Sequence, residues 1–259
     1  MIIAWMIPAW LRRGLAVCVS AFAMQAGAAD VALQRVLAGE DCVKCDLRGA
    51  DFSGAALAGR NLAGSMLQGA NFSGAHLQGT NLSGANLTGA TFREANATGA
   101  SFVIANLDET NFDAAIIDGA DVSSTRLNKV SFRGARAVNA RFVGSRMRHV
   151  TLSQADLSGA DFSRVRAPAA DFTKARLIGT IFVGAQLGGA RFNRALLARA
   201  RFDNADLWKA DFREADLVGA SFVSAHLRIA KLPDSVSTAA AEFCGAILPD
   251  GTTQRAGCD

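Results

Sequence analysis

Few side chains in this chain of 259 residues have the chemistry to form a site: three histidines, five cysteines, a recurring set of aspartates and a late concentration of arginine. A metal centre needs three or four His, Cys or carboxylate donors in one coordination sphere, and His76, His149 and His226 lie far apart in the chain. Nucleophilic catalysis needs a nucleophile beside a base; no nucleophile elbow occurs, and tyrosine is absent. The glycines recur at one fixed phase instead of clustering into a phosphate-binding loop. No catalytic, metal or cofactor-binding set is therefore expected, and the chain does not read as an enzyme. Cysteine offers two chemistries. Beyond Cys18, which falls in an apolar N-terminal stretch, Cys42, Cys45, Cys244 and Cys258 remain as two close pairs. An even count favours the disulfides Cys42–Cys45 and Cys244–Cys258. Cys42-Val43-Lys44-Cys45 also has redox-motif spacing, without the strand–helix setting such motifs use; a redox role stays the alternative.

Whatever positions these residues must obey a period of five. From Leu47 to Leu232 nearly every fifth residue is large and apolar, as in Leu47, Phe52, Leu57, Leu62, Leu67 and Phe72, through 38 positions without a slip. Two residues before it the residue is nearly always small (Ala50, Ala55, Ser65, Ala70, with Arg60 an exception), and two residues after it glycine recurs (Gly49, Gly54, Gly59). Neither a helix, at about 3.6 residues per turn, nor a strand, at about 2, carries that pattern. A solenoid does: each segment is one side of a coil, the small and the large residue point inward, and glycine supplies the positive φ of a corner. Fourteen of the 16 phenylalanines fall in two series spaced by multiples of 20, Phe52 to Phe212 and Phe102 to Phe222, offset by ten. The coil therefore has four sides, with phenylalanine stacked on two opposite walls and leucine mainly on the others. These residues are core, each contributing roughly 1.5–3 kcal/mol when fully buried. Ala97, Ala137 and Ala167 mark where that core is thinnest. At about 4.8 Å per coil, about 9.5 coils make a rod about 45 Å long. That length keeps the two cysteine pairs from sharing one zinc ion.

At this point the chain resembles the pentapeptide-repeat family, whose unit reads A-[DN]-[LF]-[ST]-G. Ala50-Asp51-Phe52-Ser53-Gly54, Ala70-Asn71-Phe72-Ser73-Gly74, Ala85-Asn86-Leu87-Thr88-Gly89 and Ala155-Asp156-Leu157-Ser158-Gly159 carry the likeness. It implies an all-β solenoid, a right-handed quadrilateral β-helix with four repeats per coil. Exported members look similar at both ends, with CxxC leading into the first repeat and a tail like Phe243-Cys244-Gly245-Ala246-Ile247-Leu248-Pro249-Asp250-Gly251. Some cytoplasmic relatives resemble B-DNA in shape and charge and bind DNA gyrase.

The ends divide as follows. Residues 1–28 read as a signal peptide: Arg12-Arg13, an apolar run from Gly14 to Ala23, and the cleavage site Ala26-Gly27-Ala28. The run is too short to span a bilayer, so the mature chain is expected to lack a transmembrane segment and to reside in the periplasm or outside the cell. Residues 29–45 are expected to form an N-terminal cap, with a helix from Asp30 to Gly39 on Val31, Leu33, Val36 and Leu37, followed by CxxC. Residues 46–232 form the rod. Residues 233–259 are expected to form a C-terminal cap, with a short helix from Ser237 to Phe243 plugging the rod beside the second cysteine pair. A solenoid must cover its open edges, and an end of the rod is also where two copies could pair as a dimer.

With the interior full, function falls to the outward positions. Residues 46–125 hold 3 basic and 8 acidic side chains, a net of −5, and residues 126–232 hold 19 and 8, a net of +11. Folding by 20 places Arg126, Lys129, Arg146, Arg148, His149 and Arg166 on one wall, with no acid on that wall in those coils. His226 shares the wall but stands about 19 Å from His149, too far for a shared metal. Stacked like charges repel, so a neutralising partner gains energy there. The expected function is an exported, non-catalytic scaffold or protein-interaction module using this wall. The alternatives are an anionic lipid or polymer of the cell envelope as ligand, and gyrase binding by a DNA mimic. Nucleic acid is not the expected partner of a bipolar, exported rod.

Overall fold

The computed structural model describes residues 30–233, 241–255 and 258; the expected signal segment lies outside them. From Asp46 to Asp211, each residue preceding a central apolar one forms a parallel bridge with its counterpart 20 residues later: Asp46 with Met66, Asp51 with Asn71, Ala56 with His76, Asn61 with Asn81. Each coil thus has four walls. The first is centred on Phe52, Phe72 and their successors, the second on Leu57 and Leu77, the third on Leu62 and Leu82, the fourth on Leu67 and Leu87. The bridges are isolated single-residue pairs, because five residues per side leave room for one bridge, one buried residue and a turn.

The hydrogen bonding repeats as strictly as the sequence. Around Phe72, Asn71 N–H donates to Ala50 one coil below, while Phe72 and Gly74 donate to Thr91 and Arg93 one coil above. Ala75 N–H donates back to Phe72 and closes the turn. Only the residue after the central one lacks a backbone acceptor, and here Ser73 N–H finds the Asn71 side-chain oxygen at 3.1 Å. The same cap recurs at Asp51–Ser53, Asn81–Ser83, Asn86–Thr88 and Asp161–Ser163. This explains why Asn or Asp recurs as the second residue of the unit, as at Asp51, Asn71, Asn81, Asn86 and Asp161: a short side-chain acceptor two residues upstream satisfies an otherwise orphaned amide. Every corner from Lys44 to Ile229 has φ near +60°, including those where Glu, Lys, His149 or Ile104 replaces glycine.

Inside, the two phenylalanine columns stack at 4.5–5.2 Å between ring centroids, as at Phe92–Phe112 and Phe162–Phe182. They meet each other edge-on, as at Phe192–Phe202 (5.5 Å, 85°). Ala97, Ala137 and Ala167 are buried like their larger neighbours. Buried hydroxyls at the small positions are satisfied: Thr80 Oγ1 donates to Leu57 O, and Ser145 Oγ to Val122 O.

The N-terminal helix, α1, covers 30–37, two residues shorter than expected, and Gly39 at φ +88° ends it. Val36 is buried against the rod, whereas Val31 and Leu37 are exposed. The five-residue register reaches back beyond position 46. Cys42 occupies a central, buried position and donates to Asn61 O, and it is disulfide-bonded to Cys45. At the other end, the helix expected over Ser237–Phe243 falls mostly outside the described residues, but its last two residues are not helical. Glu242 bridges to Ser221, and Phe243 extends the phenylalanine column by stacking on Phe222 at 4.9 Å. The repeat thus resumes after 240 with a 21-residue offset. A turn at Pro249-Asp250-Gly251 then returns the chain antiparallel along Ile247, bridging it to Thr253, so that the last edge is covered. Cys244–Cys258 ties this return.

Candidate functional site on the fourth wall

Three outward columns run up the fourth wall. Before the centre stand Asn106, Arg126, Arg146, Arg166, Gln186, Asp206 and His226; after it, Asp108, Asn128, Arg148, Pro168, Gly188, Trp208 and Arg228. The corner column holds Glu109, Lys129, His149, Ala169, Gly189, Lys209 and Ile229. Arg126, Arg146 and Arg166 are consecutive bridge partners, so their side chains leave the rod one directly above the next.

The structure separates the six predicted residues into two groups. Arg126 pairs with Asp108 at 2.6 Å, and Lys129 with Glu109 at 2.8 Å, which raises the lysine pKa through that hydrogen bond. Both acids sit on the same wall one coil below, so the lower end of the expected patch is neutralised. Arg146, Arg148 and Arg166 are exposed and have no acidic partner among the described residues. His149 is exposed at the neighbouring corner, in a shallow recess with Thr151, Asp171 and Arg191. Asp171 is committed there to Arg191, at 2.8 Å. Among the described residues no group of three His, Cys, Asp or Glu side chains is placed to hold a metal ion. No described helix is long and apolar enough to cross a membrane.

The arginines stand where the capping Asn or Asp belongs, and arginine accepts no hydrogen bond. The chain compensates from outside the unit. Asp108 Oδ1 takes the Asn128 amide at 2.9 Å, and the Asn128 side chain faces the Arg148 amide at 3.4 Å. Above Arg166 the residue needing a cap is Pro168, which has no N–H. Three coils thus replace a local cap by indirect substitutes while keeping arginine outward.

A cap borrowed from the coil below appears on two further walls: Asp113 takes the Arg133 amide, where Ser131 stands at the capping position, and Asp118 takes the Val138 amide, where Arg136 does. Arg136 pairs with Asp118 at 2.6 Å and Arg141 with Asp121 at 3.7 Å. A belt of ion pairs therefore joins the acidic to the basic half. Sequence reading missed it because each pair spans 18 or 20 residues.

Sequence reading also missed Pro168, Gly188 and Trp208. Between 46 and 232 these are the one proline, the one glycine at the position after the centre, and the one outward aromatic residue, and they follow one another in a single column. Sorting the outward residues by column would have found them.

Fold and site together define a β-helical repeat protein whose interior is filled by apolar side chains and whose charged side chains stand in outward columns. The family model for pentapeptide repeats matches in overlapping copies from residue 45 to 232. The chain belongs to the pentapeptide-repeat family, and its coils are those of the family's right-handed β-helix. No functionally curated protein matches it. Among solved structures it is similar to HetL, a pentapeptide repeat protein involved in heterocyst differentiation regulation in the cyanobacterium Nostoc sp. strain PCC 7120. That match has 27% identity and a TM-score of 0.56, covering 86% of this chain and 97% of that one. A pentapeptide repeat protein of the Arabidopsis thaliana thylakoid lumen is 31% identical over 40% of this chain and 68% of its own, with a TM-score of 0.32. QnrB1, a plasmid-mediated fluoroquinolone resistance protein, is 19% identical over 81% of this chain and 94% of its own, with a TM-score of 0.42.

Proposed function

We propose that this chain is an exported, non-catalytic interaction module that holds an acidic partner protein against Arg146, Arg148 and Arg166. One observation carries the reading: these arginines are exposed and have no ion pair among the described residues, Arg146 stacked under Arg166 with Arg148 in the adjoining column, whereas Arg126 and Lys129 one coil below on the same wall are paired. Guanidinium groups suit bidentate capture of carboxylates. A partner chain rising along the wall meets one coil about every 4.8 Å. Export is supported by the leader-like composition of residues 1–28 and by two cysteine pairs joined as disulfides. The belt of ion pairs weighs against a DNA-mimic role, because Asp108, Glu109, Asp118 and Asp121 of the acidic half are engaged by cations of the next coil.

The test is recovery of partners from cell-envelope extract by the parent and by the Arg146→Glu/Arg148→Glu/Arg166→Glu variant. A protein retained by the parent, lost from the variant and released by about 0.5 M salt supports the reading, since exposed charge contacts are screened at that strength. Equal recovery by both overturns it. Selective recovery of lipid or polysaccharide would transfer the wall to an envelope polymer.

A further inference from the structure

The column above Arg148 departs from the repeat in three successive coils: Pro168, then Gly188, then Trp208. Glycine at 188 answers no backbone need. Its φ is not in the left-handed region, and a Cβ there would meet only the Trp208 carbonyl oxygen, at an ordinary 3.8 Å. Glycine within such a segment is normally unfavourable because of its conformational freedom. What it provides is an outward position without a side chain, between exposed Pro168 below and Trp208, 45% exposed, above. Trp208 has its amide capped by Asp206 at 3.1 Å, and the Lys209 ammonium lies 5.9 Å from its ring. Exposed Ile229 sits at the corner one coil higher. The wall therefore reads upward as cations, a bare notch, then an aromatic ring.

We infer that this notch is the specificity-determining part of the proposed contact, and that it seats one aromatic or large aliphatic side chain of an acidic partner segment. The inference rests on the reading of Arg146, Arg148 and Arg166 as the acidic partner's docking surface; the notch adds an anchor to a charge-only contact. Charge complementarity selects the occupant. The three unpaired arginines directly below require carboxylates on the same segment. Arg166 and Trp208 are two coils apart, about 10 Å, which an extended peptide crosses in about three residues. A buried aromatic anchor beside arginines is the usual energetic centre of a protein interface.

The test uses the full chain carrying Trp5→Phe and Trp10→Phe. With no tyrosine in the chain, its ultraviolet emission then reports Trp208 alone. The probes are labelled peptides of four glutamates, two glycines and a phenylalanine, made in both directions, and the same peptides with glycine in place of phenylalanine. The phenylalanine peptide should bind at least fivefold tighter in one direction and shift Trp208 emission to the blue. Gly188→Leu, which fills the notch, and Trp208→Ala, read by peptide anisotropy, should remove the fivefold preference while leaving the glycine peptide's affinity unchanged. Arg146→Glu/Arg148→Glu/Arg166→Glu should abolish binding of both, with circular dichroism unchanged. Equal binding of the two peptides with steady Trp208 emission overturns the inference and leaves the acidic-partner reading standing. Binding of neither peptide overturns both, as does a Trp208 shift produced only by an anionic oligosaccharide.

Discussion

In each five-residue unit one amide, that of the residue after the central apolar one, has no backbone acceptor, and its satisfaction explains much of the outward sequence. Asp211 shows how charge joins this duty. It accepts the Arg213 amide at 3.2 Å and the Arg213 guanidinium at 2.6 Å, and that guanidinium holds its pKa down to about 2. Glu214 is likewise lowered, chiefly by its hydrogen bond from Arg194. Groups whose folded pKa is depressed contribute stability that is complete above the unfolded carboxylate value and is lost as pH falls through the folded one. The thermal midpoint should therefore hold down to about pH 4 and decline from there toward pH 2. Asp211→Asn keeps an oxygen for the Arg213 amide but cannot ionise, so its decline should be shallower. Superimposable midpoint-against-pH curves for the two proteins would remove Asp211 from this account. In the core, Phe142 stacks on Phe162 at 4.5 Å and meets Phe132 edge-on. Phe142→Ala should cost about 3–5 kcal/mol in urea unfolding, and a loss under 1 kcal/mol would contradict the burial of this ring.

At the scale of one side of the coil, the corner is the strained part. Gly74 has φ +65° with nothing within 4 Å of a would-be Cβ, so Gly74→Ala isolates the backbone term and should cost about 1–2 kcal/mol. Ile104 already bears that strain at φ +56°, with its side chain 67% exposed. Ile104→Gly should be neutral or stabilising by up to about 1 kcal/mol. Urea midpoints of the two variants moving in the same direction would mean that corner conformation is not what these positions contribute. These elements also show how far the sequence could be read. The inward columns were legible because burial itself writes the period of five: Leu47, Phe52 and Leu57 have no alternative environment. The fourth-wall stack of Arg126, Arg146 and Arg166 followed from the 20-residue coil for the same reason. The pairing of Arg126 and Lys129 with Asp108 and Glu109 was not legible, since it depends on which column of the coil below each long side chain reaches. Phe243 was hidden as a column member by the single extra residue before it, and Glu242 and Phe243, expected in a helix, follow the β register because stacking on Phe222 buries the ring.

Along the whole rod, charge is arranged so that the acidic half ends where the basic half begins, and the junction is closed by ion pairs on three walls: Asp108–Arg126 and Glu109–Lys129, Asp118–Arg136, and Asp121–Arg141. The junction therefore limits the free cationic surface as well as joining the halves. On the fourth wall Asp108 and Glu109 hold two of six basic residues in reserve, and the free stack starts one coil higher at Arg146. The double substitution Asp108→Asn/Glu109→Gln tests this limit. Asn at 108 still offers an oxygen to the Asn128 amide, now taken by Asp108 at 2.9 Å, so the cap survives while both ion pairs disappear. These pairs are exposed and contribute little to stability, so the thermal midpoint should move by no more than about 2 °C. Arg126 and Lys129 would then join Arg146, Arg148 and Arg166 in one continuous cationic patch over three coils of the wall. The four-glutamate peptide should bind severalfold tighter, with a steeper loss of affinity between low and physiological salt because more charge contacts are being screened. If affinity and salt dependence match those of the parent, Asp108 and Glu109 do not set the lower boundary of the contact surface, and the free stack is smaller in effect than its geometry suggests.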